Sequence, residues 1–428
     1  MSKKIIFALA LTLAVSFCAA AYAEVQNVKV GGDITAVGLS RYRYNLTKEG
    51  SDTSNNSSHG DIWATIARVR LDAELTDNVS ATVRMLNERA WGTLNEDSAN
   101  TDIDLDLANI TIKEFFYEPL TVVVGRQPIM LGDGLLVADP WTNQVGSSAS
   151  AFPEGFRDLS ARRAFDGIVT VWDYNPLTAI VAFVKGSDSD AVRHSDDVNV
   201  WATNFKYDTG VLKTVPEFTW VNYDARKGQI NNYSVRATTA PLDDLALKGE
   251  YVFQTRQDLA SDDNGHKSAY ALLLGANYTL SQVKWTPAFG VDYARLGKNW
   301  FKMFEAITPA DIMNVLLPNT NAQVFGVTGS VKPKEDLTLK LRYAYARLVS
   351  TVNDTTFRMW PDVTTGSTYY NMTDKKTLGN EVDMHVMYDY TEDVQLGLKL
   401  GLFQPGNAFD KDNRFYATQA VGTMKVTF

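Results

Sequence analysis

Arginine residues recur on one parity of the alternating segments near the start of the chain. They are Arg41 and Arg43, Arg68 and Arg70, Arg84 and, further along, Arg126. A guanidinium group binds carboxylates in a fixed two-pronged geometry and stays protonated at physiological pH. If neighbouring strands bring these side chains together, they form a track that offers an anionic solute successive weak sites.

Carboxylates share the parity of the arginines. They are Asp72 and Glu74 on the segment of Arg70, and Asp166, Glu381 and Asp383 on later segments. Three interpretations stay open: the carboxylates hold the arginines in place, they set up a transverse field across a constriction, or the charges are only a solvated face. A cation preference also stays open, because the alternation does not decide whether Asp104 and Asp106 or Leu105 and Leu107 face inward.

Acid–base and metal chemistry have few candidates in this chain. Of the four histidines, His59, His194 and His266 lie in polar loops, and His385 lies on an alternating segment beside Asp383. An imidazole beside a carboxylate can act as a base, but a charged wall explains the same pattern. No nucleotide-binding or metal-binding motif is present, so we predict no cofactor and no enzymatic activity.

Strand periodicity positions these charges. In Val69 to Leu75 the odd positions are apolar and the even ones are charged, and the segments 337–345 and 378–390 repeat the pattern. A period of two is typical of strands with two different faces. A soluble β-sandwich alternates in the same way, so periodicity alone does not decide the fold.

Connection lengths decide between the two folds. Eight short connections and nine longer polar stretches alternate strictly, and together they join 18 segments with both chain ends on the short-turn side. This arrangement predicts an all-β transmembrane antiparallel β-barrel of about 18 strands, with short periplasmic turns and long extracellular loops. The aromatic content of 11% fits interfacial girdles, and the net charge of −9 argues against a nucleic-acid partner.

The first residues predict export. Lys3 and Lys4 precede an apolar stretch from 5 to 17, and Ala21-Tyr22-Ala23 fits the cleavage rule. We predict a signal peptide over 1–23 and one barrel domain over 24–428, in the outer membrane of a Gram-negative bacterium. A lipoprotein anchored at Cys18 is the weaker alternative. The expected partners are outer-membrane lipid, lipopolysaccharide and, through a last strand ending in Phe428, the barrel-assembly machinery.

The longest connection, 128–164, is too apolar and too long for a fully solvated loop. We expect it to fold inward and narrow the pore. Its candidate constriction residues are Asp133, Asp139, Trp141, Arg157, Arg162 and Arg163. The loops 296–321 and 350–376 either cover the mouth of the barrel or extend outside it.

The residues around this loop resemble a known family. Gly125-Arg126-Gln127-Pro128, the Gly132-Asp133-Gly134 turn, Trp141, and Phe165-Asp166-Gly167 look like the corresponding strand, loop and strand of the alginate export family of outer-membrane porins. The resemblance implies an 18-stranded barrel with an arginine-lined pore for acidic polysaccharide or smaller solutes. It also implies lumen positions for Arg126 and Asp166.

Three functions remain open at this stage. The first is a channel for passive diffusion of small hydrophilic, anionic solutes or acidic sugars. The second is an exporter of an anionic, alginate-like polysaccharide that works with periplasmic partners. The third is a structural or enzymatic barrel with an occluded lumen.

Overall fold

The computed structural model describes residues 27–48, 59–92, 103–138, 152, 156–187, 198–225, 228–258, 266–306, 310–317, 319–352, 357–359 and 368–428. The wall strands are β1 (Asn27–Tyr42), β2 (His59–Thr76), β3 (Val79–Ala90), β4 (Asp104–Ile112), β5 (Leu120–Pro128), β6 (Ala164–Asp173), β7 (Leu177–Ser187), β8 (Val198–Tyr207), β9 (Val215–Ala225), β10 (Gly228–Leu242), β11 (Leu245–Asp258), β12 (His266–Thr279), β13 (Ala288–Leu296), β14 (Ala322–Lys334), β15 (Leu337–Leu348), β18 (Thr377–Asp389), β19 (Val394–Pro405) and β20 (Ala417–Thr427). Between β15 and β18, β16 (Phe357–Met359) and β17 (Thr368–Tyr370) form a separate small sheet.

Sequential antiparallel pairing and closure of β1 on β20 make the wall a single 18-stranded barrel. The predicted strand number, the antiparallel order and all eight short connections are confirmed. The only α-helix in the described residues, α1, is the single turn Met313–Leu316. No helix in the same residues has the length and apolarity needed to cross a bilayer. Because β1 closes on β20, the wall has no free edge strand, and neighbouring strands share their backbone hydrogen bonds except beyond Ala108 and Arg126, where β4 and β5 are not paired.

Short connections use the expected turn chemistry. The Thr76 hydroxyl accepts a hydrogen bond from the Val79 backbone N–H at 3.0 Å, which closes the β2–β3 turn. In the β8–β9 turn, the Asp208 carboxylate accepts from the Gly210 N–H at 2.9 Å, and Gly210 takes a φ of 67°. Such local bonds and left-handed backbone let two strands reverse within a few residues.

The two faces of the wall follow the pairing register, because paired residues point to the same side of a sheet. One row across five neighbouring strands is apolar and faces outward; we call it the outer apolar row. It consists of Ile110, Val124, Ile168, Phe183 and Trp201. The two end members, Ile110 and Trp201, are 50% and 45% exposed, as expected for side chains that face lipid.

The buried core lies inside the barrel, between the wall and the loops that enter it. Ile129, Leu131 and Leu135 of the 128–164 loop pack with inward wall residues such as Val200 and Val252. Phe152 and Phe156, from the far end of the same loop, pack with inward residues of β1, β2 and β3. The inward fold of this loop, expected from its apolar sequence, therefore holds for the described part.

Candidate pore constriction

The first half of the 128–164 loop is anchored to β10 and β11. The Asp133 carboxylate binds the Arg236 guanidinium at 2.5 Å and the Lys248 ammonium at 2.8 Å. Burial alone would raise the pKa of Asp133, but Lys248 and Arg236 bring that pKa below its ordinary value. Gly132 and Gly134 take φ values of 57° and 78°, which lets the loop turn sharply where Asp133 reaches the wall.

The second half of the loop is anchored to β1, β3 and β4. Asp158 accepts two hydrogen bonds from Arg41, at 3.0 and 2.6 Å, and Arg41 is only 4% exposed. The buried Glu88 carboxylate accepts from the Ala161 N–H at 2.6 Å and from the Ser160 hydroxyl at 3.1 Å. The two described parts of the loop therefore bind separate parts of the wall from inside the barrel.

A second loop, 297–321, joins the first inside the barrel. The backbone N–H of Ala138 donates to the Phe304 carbonyl at 2.8 Å, and the N–H of Ala306 donates to the Gly134 carbonyl at 2.9 Å. The amide of Gln254 on β11 bonds both the N–H and the carbonyl of Phe301, at 2.8 and 2.9 Å. The sequence left open whether this loop covers the mouth or extends outside; its described part does neither and enters the barrel.

The 311–313 part of the same loop contacts β18. Backbone N–H groups of Ile312 and Met313 donate to the Glu381 carboxylate at 2.5 and 2.6 Å. His385 binds the Asp311 carboxylate at 2.7 Å. Burial would raise the pKa of Asp311, but His385, Lys399 and Lys340 lower it below its ordinary value. Glu381 and Asp383, predicted as pore-lining, are thus covered by the loop: their exposed fractions are 0% and 1%.

The described part of the third long loop, around Tyr370, packs near the end of β1. Tyr370 packs with Leu46, Phe403 and Phe409 in one buried cluster. Its hydroxyl donates to the Tyr44 carbonyl, and burial raises the Tyr370 pKa. The part of this loop that is described therefore packs onto the barrel.

Most arginines of the expected track face lumen carboxylates. Arg68 binds Asp33 with two nitrogens, at 2.9 and 3.0 Å. Arg84 donates to Asp106 at 2.6 Å. The pair of Arg70 and Asp72, at 2.7 Å, is more exposed. Of the interpretations left open by the sequence, this geometry matches carboxylates that hold the arginines in place.

Arg43 does not continue the inward row of Arg41. Strand β1 ends at Tyr42, and Arg43 takes a φ of 55°, so the alternation stops before it. Its guanidinium lies over the rings of Tyr42 and Tyr416, 4.8 and 4.9 Å from their centroids. Stacking of this kind at the mouth is a cation–π contact.

Arg126 and Asp166 lie on the outer face of the barrel, so their expected lumen positions are wrong. They are paired with each other across β5 and β6. Each lies two residues along its strand from Val124 or Ile168 of the outer apolar row, and therefore on the same face. The adjacent Phe165 points inward and packs with the loop core. A shift by one residue along a strand exchanges the residues of its two faces. The resemblance rests on motifs and does not define this register. The two side chains form an ion pair at 2.6 Å.

The structure also shows which residues of the segment 104–107 face inward. The register of β3 and β4 shifts between Arg84 and Met85, which leaves room for an extra residue on β4. Because of this bulge, Asp106 and Leu107 are both buried, whereas Leu105 is 52% exposed on the outer face. Asp104 binds Arg162 of the loop.

The other constriction candidates are only partly described. Asp139 and Trp141 lie outside the described residues, and of Arg157 only the backbone is described, in a 3-10 turn over 157–159. Arg162 packs against the wall through Asp104 and Glu88. Arg163 donates to the Arg162 carbonyl at 2.7 Å.

Lysines beneath the loops remain open to the lumen. Lys340, His385 and Lys399 are paired neighbours on β15, β18 and β19 and form one inward row, the lysine row. Lys399 is exposed and Lys340 is half-buried. Among the described residues, neither lysine forms an ion pair with a carboxylate.

Sequence reasoning missed the lysine row and the anchors on β10 and β11. Lys340 and Lys399 stand at inward positions of clear alternating segments, so parity would have found them. Arg236 and Lys248 have the same parity signal. Their role as loop anchors has no local signal, because Asp133 is far away in sequence.

Comparison with solved structures gives the class of fold. OpdQ of Pseudomonas aeruginosa is similar with a TM-score of 0.60 at 13% identity, over 94% of this chain and 98% of that one. OccK3 (OpdO) of the same organism gives 0.60 at 11% identity, over 94% and 96%. OccK2 (OpdF), solved in complex with glucuronate, gives 0.57 at 10% identity, over 94% and 99%.

The fold is that of an 18-stranded outer-membrane porin. No protein-family model matches the sequence, and no curated protein sequence matches it. The alginate export family therefore stays a resemblance.

Proposed function

We propose that this protein is an outer-membrane channel for passive diffusion of small hydrophilic, anionic solutes or acidic sugars. The observation that carries the proposal is the open lysine row beneath two loops that are anchored on the wall and narrow the lumen. An 18-stranded barrel is too wide for its own side chains to fill. Loops that enter it therefore set the size limit, and the charges that remain open set the ionic preference.

The path for anions differs from the one expected from sequence. Arg41, Arg68 and Arg84 are engaged with carboxylates, so their charges are largely neutralised locally. Lys340 and Lys399 then supply positive charge that, among the described residues, no carboxylate holds in an ion pair, although both act on Asp311 at longer range. The glucuronate bound by OccK2 (OpdF), a barrel of the same fold, supports an acidic sugar as one solute class.

Planar bilayers under a salt gradient test the ionic preference. We expect the reversal potential of wild-type channels to show a preference for anions. The double variant Lys340→Ala/Lys399→Ala should lower the anion-to-cation permeability ratio by about two- to threefold, because local positive charge is lost. Lys113→Ala/Lys213→Ala is the matched control, since it removes two lysines from short turns outside the lumen. A cation-preferring wild type, or equal ratios in both double variants, would contradict the proposal.

Export of a long anionic polysaccharide is not favoured. A polymer needs a continuous wide path, whereas the 128–164 loop is bound to both β1 and β10. Deletion of the gene in a polymer-secreting host tests the alternative: normal secretion would remove it. The signal peptide, the lack of enzymatic activity and recognition by the assembly machinery stay predictions. Phe428 does pair with Gly32 of β1, through backbone hydrogen bonds of 2.8 and 3.0 Å.

A further inference from the structure

Two acidic side chains of β18, Glu381 and Asp383, lie together on the inward face beneath the 297–321 loop. They stand two residues apart on one strand, so both project to the same side. Their exposed fractions are 0% and 1%. The two carboxyl groups are hydrogen-bonded to each other. Because an ionised carboxylate can only accept hydrogen bonds, this contact requires a proton on one of the two groups.

Among the described residues, neither carboxyl group forms an ion pair with a cation. Arg342 of β15 is the paired neighbour of Asp383. Its guanidinium instead reaches over Gly326 of β14 to the Asp292 carboxylate on β13, at 2.7 Å. A Cβ at position 326 would lie 2.5 Å from Arg342 Nη2 and 2.6 Å from Asp292 Oδ2, so only glycine leaves this path open. Arg342 is therefore engaged with a different carboxylate.

The loop supplies strong hydrogen-bond donors to Glu381 but not to Asp383. Backbone N–H groups of Ile312 and Met313 donate to the two oxygens of Glu381 at 2.5 and 2.6 Å. The Asp311 N–H donates to Asp383 Oδ2 at the long distance of 3.5 Å. The Oδ1 atom of Asp383 is buried and accepts no hydrogen bond from an N–H or hydroxyl group of the described residues. Such surroundings disfavour a charge on both carboxyls.

Other charged and titratable groups face the pair from the elements packed around it. Asp311 of the loop adds a further negative charge beside Asp383, and His385 of β18 binds the Asp311 carboxylate at 2.7 Å. The remaining groups are Lys340 and Arg342 of β15, Lys399 of β19, Asp292 of β13, and Arg41 and Tyr44 at the end of β1. Like charges at contact distance cannot both ionise easily, so one shared proton relieves the repulsion.

We propose that Glu381 and Asp383 share one proton, and that this proton latches the 310–317 segment of the loop onto β18. The docked segment covers the pair and keeps water away from it. When the segment leaves, both carboxyls meet water and ionise above about pH 4. The docked state thus holds one proton more than the released state, and pH acts on the loop through this difference. The latch goes beyond the proposed solute preference and does not depend on it.

The latch is strongest in acid and weakens as the pH rises. Below about pH 4 the released carboxyls are protonated as well, so pH has no effect on docking there. Above that value, each pH unit shifts the equilibrium towards the released segment by up to about tenfold, until the docked pair itself loses its proton. A segment that leaves the wall of the barrel changes the lumen, so the single-channel conductance should change over the same pH range.

Hydrogen–deuterium exchange of the purified full-length barrel, measured at several pH values above about 5, tests the latch. Protection factors are compared, because they remove the intrinsic pH dependence of exchange. In wild type, protection over 310–317 should fall as the pH rises. In Asp383→Asn it should stay constant, since the amide cannot ionise and can donate to Glu381.

Asp389→Asn is the matched control. Asp389 also lies on the inward face of β18, but it is exposed and accepts from Gln395 at 2.7 Å, away from the loop. This variant should follow wild type at every pH. Constant protection over 310–317 in wild type, or an equal fall in wild type and Asp383→Asn, would overturn the proposal.

Infrared difference spectroscopy detects the proton itself. At neutral pH, wild type minus Asp383→Asn should contain the C=O band of a protonated carboxyl group, and wild type minus Asp389→Asn should lack it. Absence of the band from the first difference would contradict a shared proton. Both measurements report on the pair whichever ions the channel prefers, and reversal potentials test that preference separately.

A second variant guards against misfolding. Heat-modifiable electrophoretic migration shows whether each variant forms the barrel. If Asp383→Asn does not fold, Glu381→Gln takes its place, since it also removes one ionisable group of the pair and keeps an oxygen that accepts from the loop. Its protection over 310–317 should likewise be independent of pH, and a fall equal to that of wild type would contradict the latch.

Discussion

The wall of β1–β4 and the wall of β15, β18 and β19 both place charges on their inward face, but they use these charges differently. In the first wall, Arg41, Arg68 and Arg84 are each paired with a carboxylate, and Arg41 holds the 128–164 loop. In the second wall, Glu381 accepts from loop backbone, and Lys340 and Lys399 stay open.

The difference follows from the geometry of the side chains. A guanidinium group satisfies a carboxylate with two parallel hydrogen bonds, so buried arginines serve well as anchors for a loop. A lysine ammonium is strongly hydrated and stays in the aqueous path. Counting positive residues along a lumen therefore overstates the charge that a solute meets, unless the pairs are first removed.

Among the variants that test the difference between the two walls, we expect the largest effect from Arg41→Ala. It leaves Asp158 without its cation, and loss of one partner of a buried pair costs about 3–5 kcal/mol. We expect the 156–163 segment to leave the wall, seen as faster hydrogen–deuterium exchange and a higher single-channel conductance. If exchange and conductance match wild type, Arg41 is not an anchor.

On the wall of β15, β18 and β19, Glu381→Ala tests the second anchor. It removes the acceptor of the Ile312 and Met313 N–H groups, at a cost of about 1–3 kcal/mol for unsatisfied buried donors. Hydrogen–deuterium exchange over 310–317 should increase. Glu381→Gln keeps one amide oxygen as an acceptor and should show a smaller increase; the reverse order would contradict the assignment.

Raising the pH should loosen the docking of the 297–321 loop, because Glu305 then loses its proton. Burial raises the pKa of Glu305 from 4.5 to about 8, although Lys302 opposes the shift. The docked loop therefore holds a proton that a released loop loses, so docking is strongest near pH 4.5, weakens as pH rises towards 8, and is constant above it. Exchange over 297–306 should rise across this window in wild type and stay constant in Glu305→Gln.

The smallest effect should come from Arg70→Ala on the first wall. Arg70 and Asp72 form a solvent-exposed pair, and such pairs contribute at most about 1 kcal/mol. We expect unchanged exchange of the loop and an anion-to-cation permeability ratio close to wild type. A loss of preference as large as that of Lys340→Ala/Lys399→Ala would mean that the arginine wall also sets selectivity.

The wall of the barrel was predictable from sequence because it depends on local signals. Alternation in segments such as Val69 to Leu75 defines strands, and the strict sequence of short and long connections defines their number and order. The inward fold of the 128–164 loop was also predictable, since its apolar residues have no place in water.

Which charges meet was not predictable to the same degree. Arg126 and Asp166 were assigned to the wrong face, because Gly125-Arg126-Gln127 carries no mark of the register with β6. The partner of Arg41 is Asp158, 117 residues away, and the partners of Asp133 lie on β10 and β11. Such long-range pairs have no periodic pattern.

By itself the sequence determined the strand period, the strand number, the alternation of loop lengths and the residues able to face a lumen, because these properties depend on neighbours along the chain. The tertiary structure alone decided the rest. It paired the arginines with carboxylates, left Lys340 and Lys399 open, and interrupted the wall beside Arg126. These outcomes depend on register and on loops crossing the barrel, where residues meet through space rather than through sequence.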